Sequence, residues 1–175
     1  NRMAKLLEKF GNYLRRSFDS SNLNRLISLE HELELVKSYV FIEKERFGER
    51  LKVEWDISEA EQIAVPPMTI QTIVENAINH GVLKKVQGGT VKIRVHEVGE
   101  DWEIIVEDDG IGMSEEKIRQ ILLSNIDGSG IGLPNTDKRL KRIFGEGLVI
   151  NSTPGKGTIV SFNVPKIKIA NESSV

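Results

Sequence analysis

Val106-Glu-Asp-Asp-Gly-Ile-Gly-Met113, followed a little further on by Gly128-Ser-Gly-Ile-Gly-Leu133, decides how this chain is read. Trp102, Ile104 and Val106 alternate with polar or variable residues, the period-2 pattern of a strand, and Asp108 continues the same apolar face. A carboxylate on a buried face needs a partner. The exocyclic amine of an adenine supplies one, through a charge-assisted hydrogen bond of about 1.5–3 kcal/mol. Gly110 and Gly112 let the chain turn tightly and bring backbone against a flat base, where a Cβ would obstruct it. In the second cluster, Gly128, Gly130 and Gly132 precede a helix in which Leu133, Thr136, Leu140, Ile143 and Phe144 recur at helical spacing. Backbone amides at such an N-terminus attract phosphate. Each cluster alone is also an ordinary turn sequence.

Composition narrows the function classes. With 175 residues, 39% hydrophobic and 29% charged, the chain has the content of a soluble globular protein of about one domain. A net charge of -2 and a pI near 6.0 leave no basic footprint and disfavour a nucleic-acid partner. The absence of cysteine removes disulfides, thiolate chemistry and Cys-ligated zinc, and suits a reducing cytoplasm. No apolar run approaches membrane-spanning length, and the N-terminus lacks a signal-peptide pattern. Asn1-Arg-Met-Ala is already in helical register, so the chain reads as a piece of a longer protein.

Residues 2–18 place Leu6, Phe10, Tyr13, Leu14 and Phe18 on one side of a helix. Ser28 reads as the N-cap of a second helix whose first turn carries Glu30 and Glu32, in keeping with the helix dipole, and Gly48 as its stop. Its apolar face is Leu33, Val36, Tyr39, Val40 and Phe47. The alternation from Leu51 to Ile57 starts a second unit as a strand. Pro66 and Pro67 mark the entrance of a third helix running through Ile70 to about His80 before Gly81. Thr90 to Val98 and Asp101 to Glu107 are strands joined around Gly99, and Ser114 opens a short helix. Leu148 to Ser152 and Thr158 to Val164 form a closing hairpin across Thr153-Pro-Gly-Lys-Gly157. This order predicts a two-layer α/β sandwich, a mixed sheet covered on one face by helices. A helical segment over 1–47, a main domain over 48–166 and a tail over 167–175 complete the expected organisation.

In the third helix, Ile70, Ile73, Val74, Ala77 and Ile78 share one arc, and Thr72, Glu75, Asn76, Asn79 and His80 the opposite one. One reading is an amphipathic surface helix. The other notes that Asn76, Asn79 and His80 are neutral oxygen or nitrogen ligands rather than the Lys and Glu of solvated faces. An amide oxygen suits hard, hydrated Mg2+, so Asn76 with His80 one turn on would hold metal and phosphate together.

Four segments occur in order: Glu75-Asn-Ala-Ile-Asn-His-Gly81, Asp108-Asp-Gly-Ile-Gly112, Gly128-Ser-Gly-Ile-Gly-Leu133 and Gly155-Lys-Gly-Thr158. They resemble the N, G1, G2 and G3 boxes of the ATP-binding domain shared by histidine kinases, gyrase-type topoisomerases, Hsp90 and MutL. Leu29-Glu-His-Glu-Leu33, Tyr39-Val-Phe-Ile-Glu-Lys-Glu-Arg-Phe-Gly48 and Val65-Pro-Pro67 further resemble the LytS-type sensor histidine kinases of bacterial two-component systems. The resemblance thus extends over nearly the whole chain. It implies a Bergerat-type ATP fold with ATP and Mg2+ as cofactors. Asp108 would meet the adenine amine, with Gly110, Gly112 and Thr158 about the base. Asn76 would ligate Mg2+, His80 would lie near phosphate, and Gly128, Gly130, Gly132 and Leu133 would belong to the ATP lid. Asn76, His80 and the neighbouring Glu75 are the implied catalytic candidates.

Several positions depart from the family pattern. Relatives usually carry Lys where Asn79 stands, and Lys84 or Lys85 is the nearest replacement in sequence. Thr72 occupies the place one turn before Asn76 where ATPases of the group put a general-base Glu, and Glu75 is aimed about 100° away from Asn76. Both count against an ATP hydrolase. The phosphoacceptor pattern Asn-Pro-His-Phe does not occur, while His31 and His96 read as surface side chains. The resemblance therefore implies the catalytic part of a sensor kinase that transfers the γ-phosphoryl of ATP to a histidine outside this chain and thence to a response regulator. Such a chain would bind ATP without phosphorylating itself. The implied setting is the cytoplasmic side of a membrane-anchored, homodimeric sensor. Two alternatives stay open: an anti-sigma-type protein-serine kinase with the same boxes, and a non-catalytic nucleotide-binding scaffold.

Overall fold

A computed structural model describes residues 26–58, 63–123 and 132–166. The helix expected over 2–18 and the tail from 167 lie outside these residues. In chain order the elements are β1 (Ile27–Ser28), α1 (Leu29–Phe47), β2 (Leu51–Ile57), β3 (Ala64–Val65) and α2 (Thr69–Asn76). There follow β4 (Gly89–Val98), β5 (Asp101–Asp108), α3 (Glu115–Leu123), α4 (Gly132–Phe144), β6 (Val149–Thr153) and β7 (Gly157–Pro165).

The alternating segments assemble into one five-stranded sheet in the order β2-β4-β5-β7-β6. The β2–β4 pair is parallel, because α2 carries the chain across between them, and the other pairs are antiparallel. The sheet is therefore mixed, as expected. Its inner face buries Val91, Ile93, Val95, Ile104, Val106, Val160, Phe162 and Val164 in a single core with α1, α2 and α4. Its outer face carries Lys92 paired with Glu54 and Arg94 paired with Glu107. Exposed pairs of this kind contribute little, so the inner face supplies the stability. His96 is half-buried on the outer face beside Asp56.

The caps of α1 fall where the sequence placed them. Ser28 Oγ accepts the His31 amide at 3.2 Å, and Gly48 closes the helix with φ 56. Leu33, Val36, Tyr39 and Val40 enter the same core as the sheet, so α1 packs directly on the ATP-type fold that follows it. A two-stranded antiparallel ladder, Ile27 opposite Val65 and Ser28 opposite Ala64, ties its start to the entrance of α2. Periodicity could not reveal so short a pairing.

Glu32 departs from its expected role. Its carboxylate does not serve its own helix; it is fully buried and accepts the amides of Met68 at 2.9 Å and Gln71 at 3.2 Å, at the start of α2. Met68 adopts a left-handed conformation (φ 60) at this entrance. Burial raises the Glu32 pKa, while the amides of Gln71, Met68 and Ile70 and the charge of Arg139 pull it down. A second correction concerns the length of α2. The α-helix stops at Asn76, a π-helical turn spans Ala77–Gly81, and a 3-10 turn follows over Val82–Lys84. A π-turn inserts one extra residue per turn and is common at functional sites.

Phe162 is nearly inaccessible at the centre of the sheet, opposite Ile104. Phe162→Ala is expected to destabilise the fold by about 3–5 kcal/mol, read as a lowered midpoint in chemical denaturation.

Candidate functional site

The apolar face of β5 ends on Asp108, which pairs with Thr158 of β7. This register brings the Asp108 carboxylate beneath the π-turn of α2. The contact is so close that a Cβ at Gly81 would lie 2.6 Å from Asp108 Oδ1. Gly110 also needs its missing side chain, but not for the reason expected. A Cβ there would meet the Gly81 carbonyl carbon at 2.2 Å, so the glycine serves the packing of turn on turn. The Gly110 amide donates to Asp108 Oδ1 at 2.8 Å. Burial pushes the Asp108 pKa up to about 6, an effect reinforced by Asp109 and Glu107 and opposed by the backbone amides of Gly110 and Thr158.

Gly112 adopts φ 65, and a Cβ on it would lie 2.0 Å from the Thr153 carbonyl oxygen, so the turn after β5 is fitted to the β6–β7 hairpin. Ser152 joins the two. It accepts the Met113 amide and donates to the Gly157 carbonyl, both at 2.8 Å. Its hydroxyl is also 2.8 Å from Thr158 Oγ1. With the serine hydrogen on Gly157, Thr158 donates to Ser152 and keeps its lone pairs for another donor. Sequence reasoning missed Ser152; a polar residue near the end of a short strand was its only signal.

Gly81, Asp108, Gly112, Met113 and Thr158 line one side of a cavity of about 780 Å³. Val106, Ile111, Met113, Leu133 and Val160 make an apolar lining, with the Asp108 and Thr158 acceptors set into it. Asn76, His80, Lys84 and Lys117 bring polar and cationic groups to the same cavity. A slot of this kind fits a flat heteroaromatic donor attached to an anion. Asn76 Nδ2 donates to the Thr72 carbonyl at 2.8 Å, which leaves Oδ1 as the atom that could face a ligand. A single amide oxygen suits Mg2+, which takes few protein ligands and completes its octahedron with water and phosphate. Among the described residues no group of three or more His, Asp or Glu gathers as a metal site.

Of the residues singled out in sequence, Asn76, His80, Asp108, Gly112, Leu133 and Thr158 line the cavity. Gly110 lies behind it against Gly81, and Gly132 starts α4 against Thr72 and Asn76. Gly128 and Gly130 lie outside the described residues. Glu75 does not line the cavity: its carboxylate accepts Gln71 Nε2 at 2.8 Å. Asn79 is exposed and donates to the Tyr39 hydroxyl at 2.9 Å, so it is bonded to α1. Lys85 donates to the Asp109 carbonyl, whereas Lys84 reaches the cavity.

Comparison with known proteins agrees with this geometry. Residues 67–168 match the family model described as histidine kinase-, DNA gyrase B-, and HSP90-like ATPase, and residues 1–51 match the histidine kinase model. Sensor histidine kinase YpdA of Escherichia coli (strain K12) is 36% identical over 91% of this chain and 28% of its own length. Sensor protein LytS of Bacillus anthracis is 33% identical over 98% of this chain and 30% of its own length. The chain thus spans under a third of either relative. The catalytic domain of histidine kinase ThkA superposes with a TM-score of 0.62 at 18% identity, over 81% of this chain and 95% of that one. With residues 67–168 matched by its model, the chain belongs to the histidine kinase-, DNA gyrase B- and HSP90-like ATPase family, and within it resembles the LytS-type sensor histidine kinases.

Proposed function

We propose that this chain is the catalytic and ATP-binding part of a LytS-type sensor histidine kinase. The observation that carries the reading is the convergence of the paired acceptors Asp108 and Thr158 with Asn76 and His80 on one cavity. Asp108 and Thr158 take the adenine amine, while Ile111, Met113 and Val160 cover the faces of the base. Asn76 Oδ1 would hold Mg2+, which when bound neutralises charge on the β- and γ-phosphates. His80 and Lys84 donate to phosphate oxygens, with Lys84 supplying the cation that Asn79 does not. Glu75 is an anchor for Gln71. Among the described residues Asp108 is the one carboxylate lining the cavity, and it is assigned to the adenine, which favours transfer over hydrolysis.

In the transfer, an imidazole nitrogen of the acceptor histidine bonds to the γ-phosphorus as the bridging oxygen bond breaks and ADP leaves. The work of the site is positioning and charge neutralisation. The acceptor would lie in the dimerisation region of the same protein, to which we assign residues 1–47. A response regulator would receive the phosphoryl group next. Among the described residues no helix is long and apolar enough to cross a membrane. We place this part on the cytoplasmic side of a sensor anchored elsewhere in its sequence.

Three outcomes are expected. Mixed with a separately prepared acceptor-histidine segment and labelled ATP, the chain should produce acid-labile phosphate on that segment. Acid-stable phosphoserine on a partner protein, or binding without any transfer, would refute the kinase reading.

Asn76→Ala should weaken Mg2+-dependent ATP binding far more than metal-free binding. Equal losses would remove Asn76 as the ligand.

Adenosine, which carries no phosphate to titrate, isolates Asp108. The raised pKa means that the charged carboxylate costs folding stability at neutral pH, a cost relieved as pH falls through about 6 toward the unfolded value. Adenosine affinity should run the other way, falling below about pH 6 as the acceptor protonates. Asp108→Asn should lower affinity by about 2 kcal/mol and flatten this profile in calorimetry.

A further inference from the structure

Outside the nucleotide cavity, a buried carboxylate of one helix serves another. Glu32 of α1 is fully buried, and its two oxygens hold the Met68 and Gln71 amides at the entrance of α2. Tyr39 stands seven residues on, two turns along the same face of α1. Its hydroxyl accepts Asn79 Nδ2 at 2.9 Å, at the far end of α2 in the π-turn. α1 therefore grips α2 at both ends, and Asn76 lies between the grips. From α4, Arg139 donates to Thr69 Oγ1 at 3.1 Å, and its charge acts on Glu32. The adenine end is built differently. Asp108 and Thr158 belong to paired strands, and Ser152 holds Thr158 in place.

We propose that Glu32 and Tyr39 are positioning residues for the phosphate end of the nucleotide site, acting through α2 on Asn76 and His80. The proposal rests on the reading of the cavity as an ATP site. Two oxygens on two amides fix the start of α2 along its axis, and the Tyr39–Asn79 bond fixes the rotation of the π-turn that carries His80. Both grips lie in the segment matched by the histidine kinase model, residues 1–51. A displacement of that segment would reach the phosphates through these bonds and leave the adenine acceptors where the sheet holds them.

Two conservative substitutions test this on the intact chain. Glu32→Gln keeps the volume but turns an amide NH2 toward a backbone N–H, and Tyr39→Phe deletes only the hydroxyl. Each is expected to weaken Mg·ATP binding about three- to tenfold, the worth of one hydrogen bond, while adenosine binding stays within about twofold by calorimetry. Tyr39→Phe combined with Asn79→Ala should be no weaker than either alone, since both delete the same bond. Parallel losses for adenosine and Mg·ATP would mean a merely structural role and overturn the proposal. So would unchanged Mg·ATP affinity in Tyr39→Phe. Should Glu32→Gln fail to fold, the Tyr39 and Asn79 variants decide the question alone. Absence of adenosine binding by the wild-type chain would instead overturn the site reading, and this proposal with it.

Discussion

A carboxylate buried where a helix meets a sheet sets the geometry of this molecule. Asp108 ends β5 beneath the π-turn of α2, so close that neither Gly81 nor Gly110 has room for a Cβ. That contact fixes the height of α2 above the sheet and so the depth of the nucleotide cavity. It also sets the chemistry of the cavity floor, because taking the carboxylate from water raises its pKa while two backbone amides keep it poised near ionisation. A ligand with a well-placed N–H completes what the protein leaves incomplete.

The same device recurs through the core. Glu32 accepts two amides at the start of α2, and Asp137 of α4 accepts the Leu148 amide at 2.9 Å just before β6. In each case a buried carboxylate closes backbone donors of a different element. A buried charge without such partners would cost several kcal/mol, so these residues specify which elements meet. α1 is drawn into the ATP-type fold in this way, by Glu32 and Tyr39 as well as by its apolar stripe. The helical segment and the catalytic layer are consequently one packed body over the described residues of α1 and the sheet.

Function follows from the division of labour between strands and helix. Asp108 and Thr158 sit on hydrogen-bonded strands, whose register is set by a full ladder. Asn76 and His80 sit where a helix changes from α to π just after Asn76, held from outside by α1. On the proposed reading, the base and the phosphates are thereby handled by separate elements.

Local pattern by itself determined much of this. Period-2 alternation announced β2 and β5, the Ser28 and Ser114 caps and the Gly48 stop bounded helices, and the inward phase of Asp108 marked the site. These are properties of neighbouring residues, whose side-chain directions follow from backbone period alone. The destination of a polar side chain was not legible, because it depends on partners far away in sequence. Glu32 read as a dipole residue of its own helix and proved to cap another. Glu75 stood beside the site in sequence and turned to Gln71, and Asn79 found Tyr39. The π-turn likewise has no sequence period of its own; it arises where α2 must meet Asp108 through Gly81. Tertiary structure alone decided these matters, because only packing brings the donors and acceptors within hydrogen-bond reach of one another.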